Sequence, residues 1–105
     1  MIIEKSQRLL GMLGFAMRAG KIIIGTEQIC KAMAKKPSVL LVLISENASD
    51  ATKKKLGTKC EFYGIKAFQI GISTEELGAI LGKSYTPAAV AICDEGFAKE
   101  IEKLS

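Results

Sequence analysis

Six apolar residues in a row, Val39-Leu40-Leu41-Val42-Leu43-Ile44, set the strongest limit on what this chain can become. The run is far short of the roughly 20 residues that a membrane-crossing helix needs, and its length and branched side chains suit a strand. Successive side chains of a strand point to opposite faces of its sheet, so a strand that is apolar at every position must be covered on both. Helices above and below the sheet provide that cover.

The rest of the chain supplies them. Leu9, Leu10, Leu13 and Met17 recur at helical spacing within a segment from about Glu4 to Arg18, predicting an opening helix. Gly11 and Gly14 weaken it by up to ~1 kcal/mol each relative to alanine, and their spacing predicts close packing against a neighbouring element. Lys21 to Ile24 is a β-branched run between two glycines and reads as a short strand. Thr26 caps or opens a helix through about Lys35, halted before Pro37 because the residue ahead of proline avoids helical torsions.

After the central strand, Ser45 to Ser49 is a polar turn in which Asn47 or Ser49 caps a helix running to about Phe62. Lys66 to Ile70 is a strand, and Ser73 or Thr74 caps a short helix carrying Leu77, Ile80 and Leu81. Ala88 to Cys93 is the last strand, and Asp94 opens the final helix. This alternation predicts a three-layer α/β/α sandwich on a small mixed sheet of about four strands. With 105 residues, 49% of them hydrophobic, the chain is expected to form a single domain over residues 1–105.

Composition excludes several functions. There is no histidine, so a histidine base is unavailable to any nucleophile, and no Gly-x-Ser-x-Gly elbow occurs. Cys30, Cys60 and Cys93 are odd in number and widely spaced. They fit neither a disulfide scaffold nor zinc-ligand spacing and are expected to be reduced and mostly buried, with no metal. Gly20-Lys21 suggests a phosphate loop, but Gly14 stands one residue too far upstream and Ile22 occupies the place of the magnesium-binding hydroxyl. No Gly-x-Gly-x-x-Gly follows a strand, which removes the dinucleotide fingerprint. Glu75 and Glu76 adjoin at a helix start, where carboxylates complement the helix dipole. The expectation is a protein with no catalytic residue and no cofactor. The N-terminus lacks a basic segment followed by an apolar one, so a cytoplasmic location, away from membranes, is expected.

Charge points toward a polyanion. The net charge is +4, distributed as +6 over residues 1–83 and −2 over residues 84–105, a balance compatible with nucleic acid. Gly25 permits close backbone approach, and the first-turn amides of the helix that follows present their positive ends outward. With the helix starting at Thr26, the side chains of Glu27, Gln28 and Lys31 fall within about 100° of arc. A carboxylate or carboxamide reads donors and acceptors on a base edge, and a lysine reaches a guanine carbonyl or a phosphate. The plainer alternative is a solvated helix start with a Glu27–Lys31 ion pair.

Lys53-Lys54-Lys55 spreads over almost all azimuths of its helix, suiting solvation and long-range steering first and phosphate contact second. The loop Lys83-Ser84-Tyr85-Thr86-Pro87-Ala88 offers a cation, a ring and small apolar groups. Splayed bases are held by such surfaces, although Tyr85 could equally anchor the loop.

The segments Ala19-Gly20-Lys21-Ile22-Ile23-Ile24-Gly25-Thr26, Leu43-Ile44-Ser45-Glu46-Asn47-Ala48-Ser49, Thr52-Lys53-Lys54-Lys55-Leu56 and Glu75-Glu76-Leu77-Gly78 follow one another over nearly the whole chain. Together they resemble the kink-turn-binding ribosomal protein family of archaeal and eukaryotic large subunits, in its bacterial YlxQ-like branch. The resemblance implies an α/β/α sandwich and non-enzymatic recognition of a sharply bent RNA internal loop with sheared G·A pairs, in ribosomal or other kink-turn-containing RNA. By position, Gly25, Thr26, Glu27, Gln28 and Lys31 match the family's strand-to-helix junction. Glu46 to Ser49 match a second contact loop, and Lys83, Tyr85, Pro87 and Ala88 belong to the apolar loop before the last strand. Where kink-turn readers carry Asn then Glu after the Gly-Thr pair, this chain has Glu27 then Gln28. Glu27 removes a donor and adds repulsion toward phosphate, while Gln28 still supplies both donor and acceptor. Two other functions fit the same fold: a protein-interaction module, and an RNA-targeting partner acting in trans for an RNA-modifying enzyme.

Overall fold

The structure, a computed structural model, describes residues 2–35 and 39–105. The elements are β1 (Ile2–Ile3), α1 (Gln7–Arg18), β2 (Ile22–Ile24), α2 (Thr26–Lys35), β3 (Leu41–Ser45), α3 (Asp50–Tyr63), β4 (Lys66–Ile70), α4 (Thr74–Ile80), β5 (Ala89–Ile92) and α5 (Glu95–Glu102). Pro37, expected to halt α2, lies outside the described residues.

One sheet holds five strands in the order β1-β4-β3-β5-β2, one more than the sequence predicts. The added strand is β1, whose Ile2 and Ile3 pair in parallel with Gln69 and Ile70 at the sheet edge. A two-residue segment carries no periodicity to read. β3 and β4 are parallel, while β5 runs antiparallel to both β3 and β2, making the sheet mixed as expected.

The central strand is covered on both faces as its composition requires, since all five residues of β3 are buried, but it spans Leu41–Ser45 rather than Val39–Ile44 and leaves Leu40 outside it and exposed. Leu41 and Leu43 face a layer formed by α1, α4 and α5, whose Leu9, Leu13, Leu77 and Ile101 complete that core. Val42 and Ile44 face the opposite layer, where α2 and α3 contribute Ile29, Met33, Leu56 and Cys60. β5 alternates in the same way, with Val90 and Ile92 on one face and Ala89 and Ala91 on the other. The small alanines leave room for the Ile29 and Met33 side chains of α2.

Hydroxyls and a carboxylate cap the helices. Ser6, Ser49 and Ser73 accept from the amides of Leu9, Thr52 and Glu76, each at 3.1 Å, and Asp94 accepts from Phe97 at 3.0 Å. Ser49 rather than Asn47 therefore caps α3, and Ser73 rather than Thr74 caps α4. The expected close packing at Gly11 and Gly14 does not occur. A Cβ on Gly11 would meet nothing within 4 Å, and one on Gly14 would meet only Arg18 of its own helix. The three cysteines are free; Cys60 is buried, and Cys30 and Cys93 are half-buried. Burial, then the neighbouring Cys30, pushes the Cys60 thiol up to about 11. It is therefore protonated, and unreactive as a nucleophile, at neutral pH.

Candidate nucleic-acid interface

Antiparallel pairing of β5 with both β2 and β3 brings the start of β5 to the end of the sheet where β2, β3 and β4 finish. Three backbone hydrogen bonds fasten the connecting segments there. The Gly25 amide donates to the Ala89 carbonyl at 3.1 Å, the Ser45 amide to Ala88 at 2.9 Å, and the Glu46 amide to Ile72 at 3.1 Å. The β2–α2 junction, the loop 46–49 and the loop 83–88 therefore share one rim of the molecule.

At the junction, Gly25 has φ +98°, a left-handed conformation that an L side chain rarely adopts. Its carbonyl accepts from the Ile29 amide at 3.0 Å, the first bond of α2. Gly25 therefore occupies the cap position, and Thr26 is the first residue of the helix rather than its side-chain cap. With Gly25 N–H bonded to the sheet and Ile29 N–H to Gly25, the amides of Thr26, Glu27 and Gln28 lack intrahelical acceptors. They lie at the positive end of the helix dipole.

Ile29 and Met33 bury one face of α2. Glu27, Gln28 and Lys31 are exposed on the opposite side, and Gly25 and Thr26 are half-buried. The ion pairs among the described residues do not include Glu27 with Lys31, so both side chains are available to a ligand.

Asn47 braces the second loop. Its Oδ1 accepts from the Thr74 amide at 2.8 Å and from the Ser45 hydroxyl at 3.3 Å, and its Nδ2 donates to Glu75 Oε1 at 3.4 Å. It thus links the end of β3 to the start of α4 across 27 residues, which no local signal in the sequence reveals. Bonds from Glu75's own backbone amide first, then from Thr74 and Asn47, hold the Glu75 carboxyl below its ordinary range. Glu46 is exposed, and its carbonyl accepts from Lys53 Nζ at 3.0 Å. That contact draws one cation of the Lys53-Lys54-Lys55 run to this rim, while Lys54 and Lys55 point away along the exposed side of α3.

The third segment packs on α4. The Lys83 amide donates to the Gly78 carbonyl at 2.9 Å, and a Cβ on Gly78 would stand 2.5 Å from the Tyr85 carbonyl oxygen and 3.4 Å from Pro87 Cδ. Only glycine lets the loop lie this close. Tyr85 is 54% exposed, and Lys83 and Ala88 are half-buried. Pro87, expected as a contact residue, is buried in the free chain, with its ring packed beside Gly78 of α4. Among the described residues no group of three His, Cys, Asp or Glu side chains could hold a metal ion, and no helix is long and apolar enough to cross a membrane.

The sequence model of the ribosomal protein L7Ae/L30e/S12e/Gadd45 family matches residues 7–102. The chain is 35% identical over 99 residues to an RNA-binding protein YlxQ from Enterococcus faecium, covering 93% of this chain and 91% of that one. It is 32% identical over 97 residues to the large ribosomal subunit protein eL30 of Sulfolobus acidocaldarius, covering 92% of each. A solved structure of a protein of unknown function from Bacillus halodurans superposes with a TM-score of 0.85 at 34% identity, covering 94% of this chain and 97% of that one.

Proposed function

Because the chain belongs to the ribosomal protein L7Ae/L30e/S12e/Gadd45 family, whose matching members carry the names of RNA-binding and ribosomal proteins rather than of enzymes, we propose that it is a non-enzymatic, ribosome-associated RNA-binding protein. Its ligand is a sharply bent, kink-turn-like element of structured RNA, and residues 1–105 act as one RNA-binding unit in the cytoplasm.

The observation that supports this reading best is the stitching of Gly25 to Ala89 and of Ser45 to Ala88, which sets three connecting segments on one rim. A bent RNA presents backbone and opened base edges together at its kink, so a reader needs several short contacts fixed relative to one another. The amides of Thr26, Glu27 and Gln28 offer donors to phosphate or base oxygens. Gln28 pairs with a base edge through its donor and acceptor, and Lys31 takes a phosphate or a guanine carbonyl. Glu27 accepts from base amino groups while repelling phosphate, which favours base-edge over backbone contact at that position. Glu46 extends the acceptor set on the second loop, and Tyr85 gives a face for an unpaired base. Lys83 and Lys53 add positive potential along the rim, and Ala88 packs against the core beneath α2 and α3.

The test is a salt titration of binding to a kink-turn hairpin and to a fully paired duplex of equal length. At least a tenfold preference for the hairpin is expected, with affinity for both falling as salt rises. Equal affinity for the two, or a flat salt response, overturns the reading.

A further inference from the structure

The ion pairs among the described residues all lie away from α3. Lys5–Glu76, Arg8–Glu100, Lys66–Glu102, Lys99–Glu95 and Lys103–Glu100 balance charge around α1, β4, α4 and α5. α3 is different. Ala51, Lys55, Thr58 and Phe62 follow one another at helical spacing along its outer side, flanked by Lys54, Lys59 and Tyr63, and together they line an open groove of about 660 Å³. No carboxylate lines it, and its three lysines take part in none of those ion pairs.

The groove ends on two rings. Phe62 is 81% exposed and Tyr63 39%, and they meet edge to face with centroids 4.9 Å apart at 89°. A phenylalanine this exposed makes little contact with the core; Phe62 packs on its neighbour's ring and leaves most of its own surface open to a ligand. Cations along a track with an aromatic face at the end match the chemistry of a single polynucleotide strand, whose phosphates and bases alternate. An acidic peptide would satisfy the lysines but leave no role for the pair of exposed rings.

We propose that the outer face of α3 is a second RNA-binding surface, which holds an unpaired strand with its phosphates on Lys54, Lys55 and Lys59 and a base stacked on Phe62 and Tyr63. The face begins next to the first site: Ser49 caps α3 from the contact loop, and Lys53 reaches back to Glu46. From Ala51 to Phe62 the helix rises about 16 Å, roughly the length of five stacked nucleotides. A strand leaving a structured RNA bound at the rim can continue onto this track. The strand-holding residues are none of those assigned to the first site, and only the continuity of the track with the rim rests on the proposed function.

The test uses two probes in fluorescence anisotropy: a twelve-nucleotide oligouridine, and a blunt-ended kink-turn hairpin. The whole chain should bind oligouridine. Lys54→Ala/Lys55→Ala/Lys59→Ala should weaken that binding more than tenfold and reduce the slope of log affinity against log salt by about 2, as expected for three phosphate contacts. Phe62→Ala/Tyr63→Ala should weaken it about tenfold with the slope unchanged. Both variants should melt as the parent does and keep the parent's affinity for the hairpin. Absence of oligouridine binding, equal binding by parent and variants, or displacement of oligouridine by polyglutamate at equal charge overturns the inference. Loss of hairpin binding by the parent chain, with oligouridine binding intact, would instead overturn the proposed function alone.

Discussion

The missing side chain of Gly78 leaves the space that the Tyr85 carbonyl occupies: a Cβ at residue 78 would stand 2.5 Å from that oxygen. A mid-helix glycine costs about 1 kcal/mol relative to alanine, so the close approach is maintained against local preference. Gly78→Ala should therefore push the 83–88 loop off α4, with a net loss of about 1–2 kcal/mol in thermal or urea unfolding, since overpacking typically costs 1–3 kcal/mol. RNA affinity should fall along with it. A variant as stable as the parent would show that the loop yields without consequence.

Lys31→Ala tests a side chain that is exposed and outside the ion pairs of the described residues. Stability should stay within about 0.5 kcal/mol, while RNA affinity drops and the salt slope falls by about 1. An unfolding transition shifted well beyond that range would mean that Lys31 is structural.

Glu27→Asn exchanges a carboxylate for an amide at the start of α2. It removes repulsion toward phosphate and restores a donor, so affinity for a kink-turn hairpin should rise several-fold. The change should be larger at low salt, where exposed charges are least screened. Unchanged or weaker binding would show that the bonds Glu27 accepts from base amino groups outweigh its repulsion of phosphate.

Asn47→Ala removes the acceptor of the Thr74 amide and a donor to Glu75. Loss of such a helix-start bond costs about 1 kcal/mol. In the parent the Glu75 pKa is lowered by its own backbone amide, then Thr74 and Asn47. A group whose folded pKa is depressed stabilises the fold above its unfolded pKa, and that contribution disappears as pH falls through the folded value. The variant's Glu75 should titrate closer to an ordinary glutamate by NMR and show less added instability in acid. An unmoved titration would place the effect elsewhere.

Much of this architecture is legible in the sequence because its signals are local. The doubly apolar run at Val39–Ile44 dictates covered faces, and Ser49, Ser73 and Asp94 mark helix starts through bonds to amides three residues on. What escapes is what lacks a local signal. Ile2–Ile3 is strand only because β4 lies beside it. Gly25 holds the cap position without any side chain to announce it, so Thr26 takes the credit in a sequence reading. Asn47 acts across 27 residues. Pro87 looks like a surface group in a loop, yet Gly78 makes the space in which its ring is buried. Gly11 and Gly14 illustrate the reverse error, because glycine spacing alone does not create a neighbour to pack against.

Whether the corner between β2 and α2 reads RNA is visible in backbone amide NMR during titration with a kink-turn hairpin. The largest shift changes are expected at Thr26, Glu27 and Gln28, with smaller ones in loops 46–49 and 83–88. Unmoved amides at these three residues in an RNA-saturated sample would show that the corner does not read RNA.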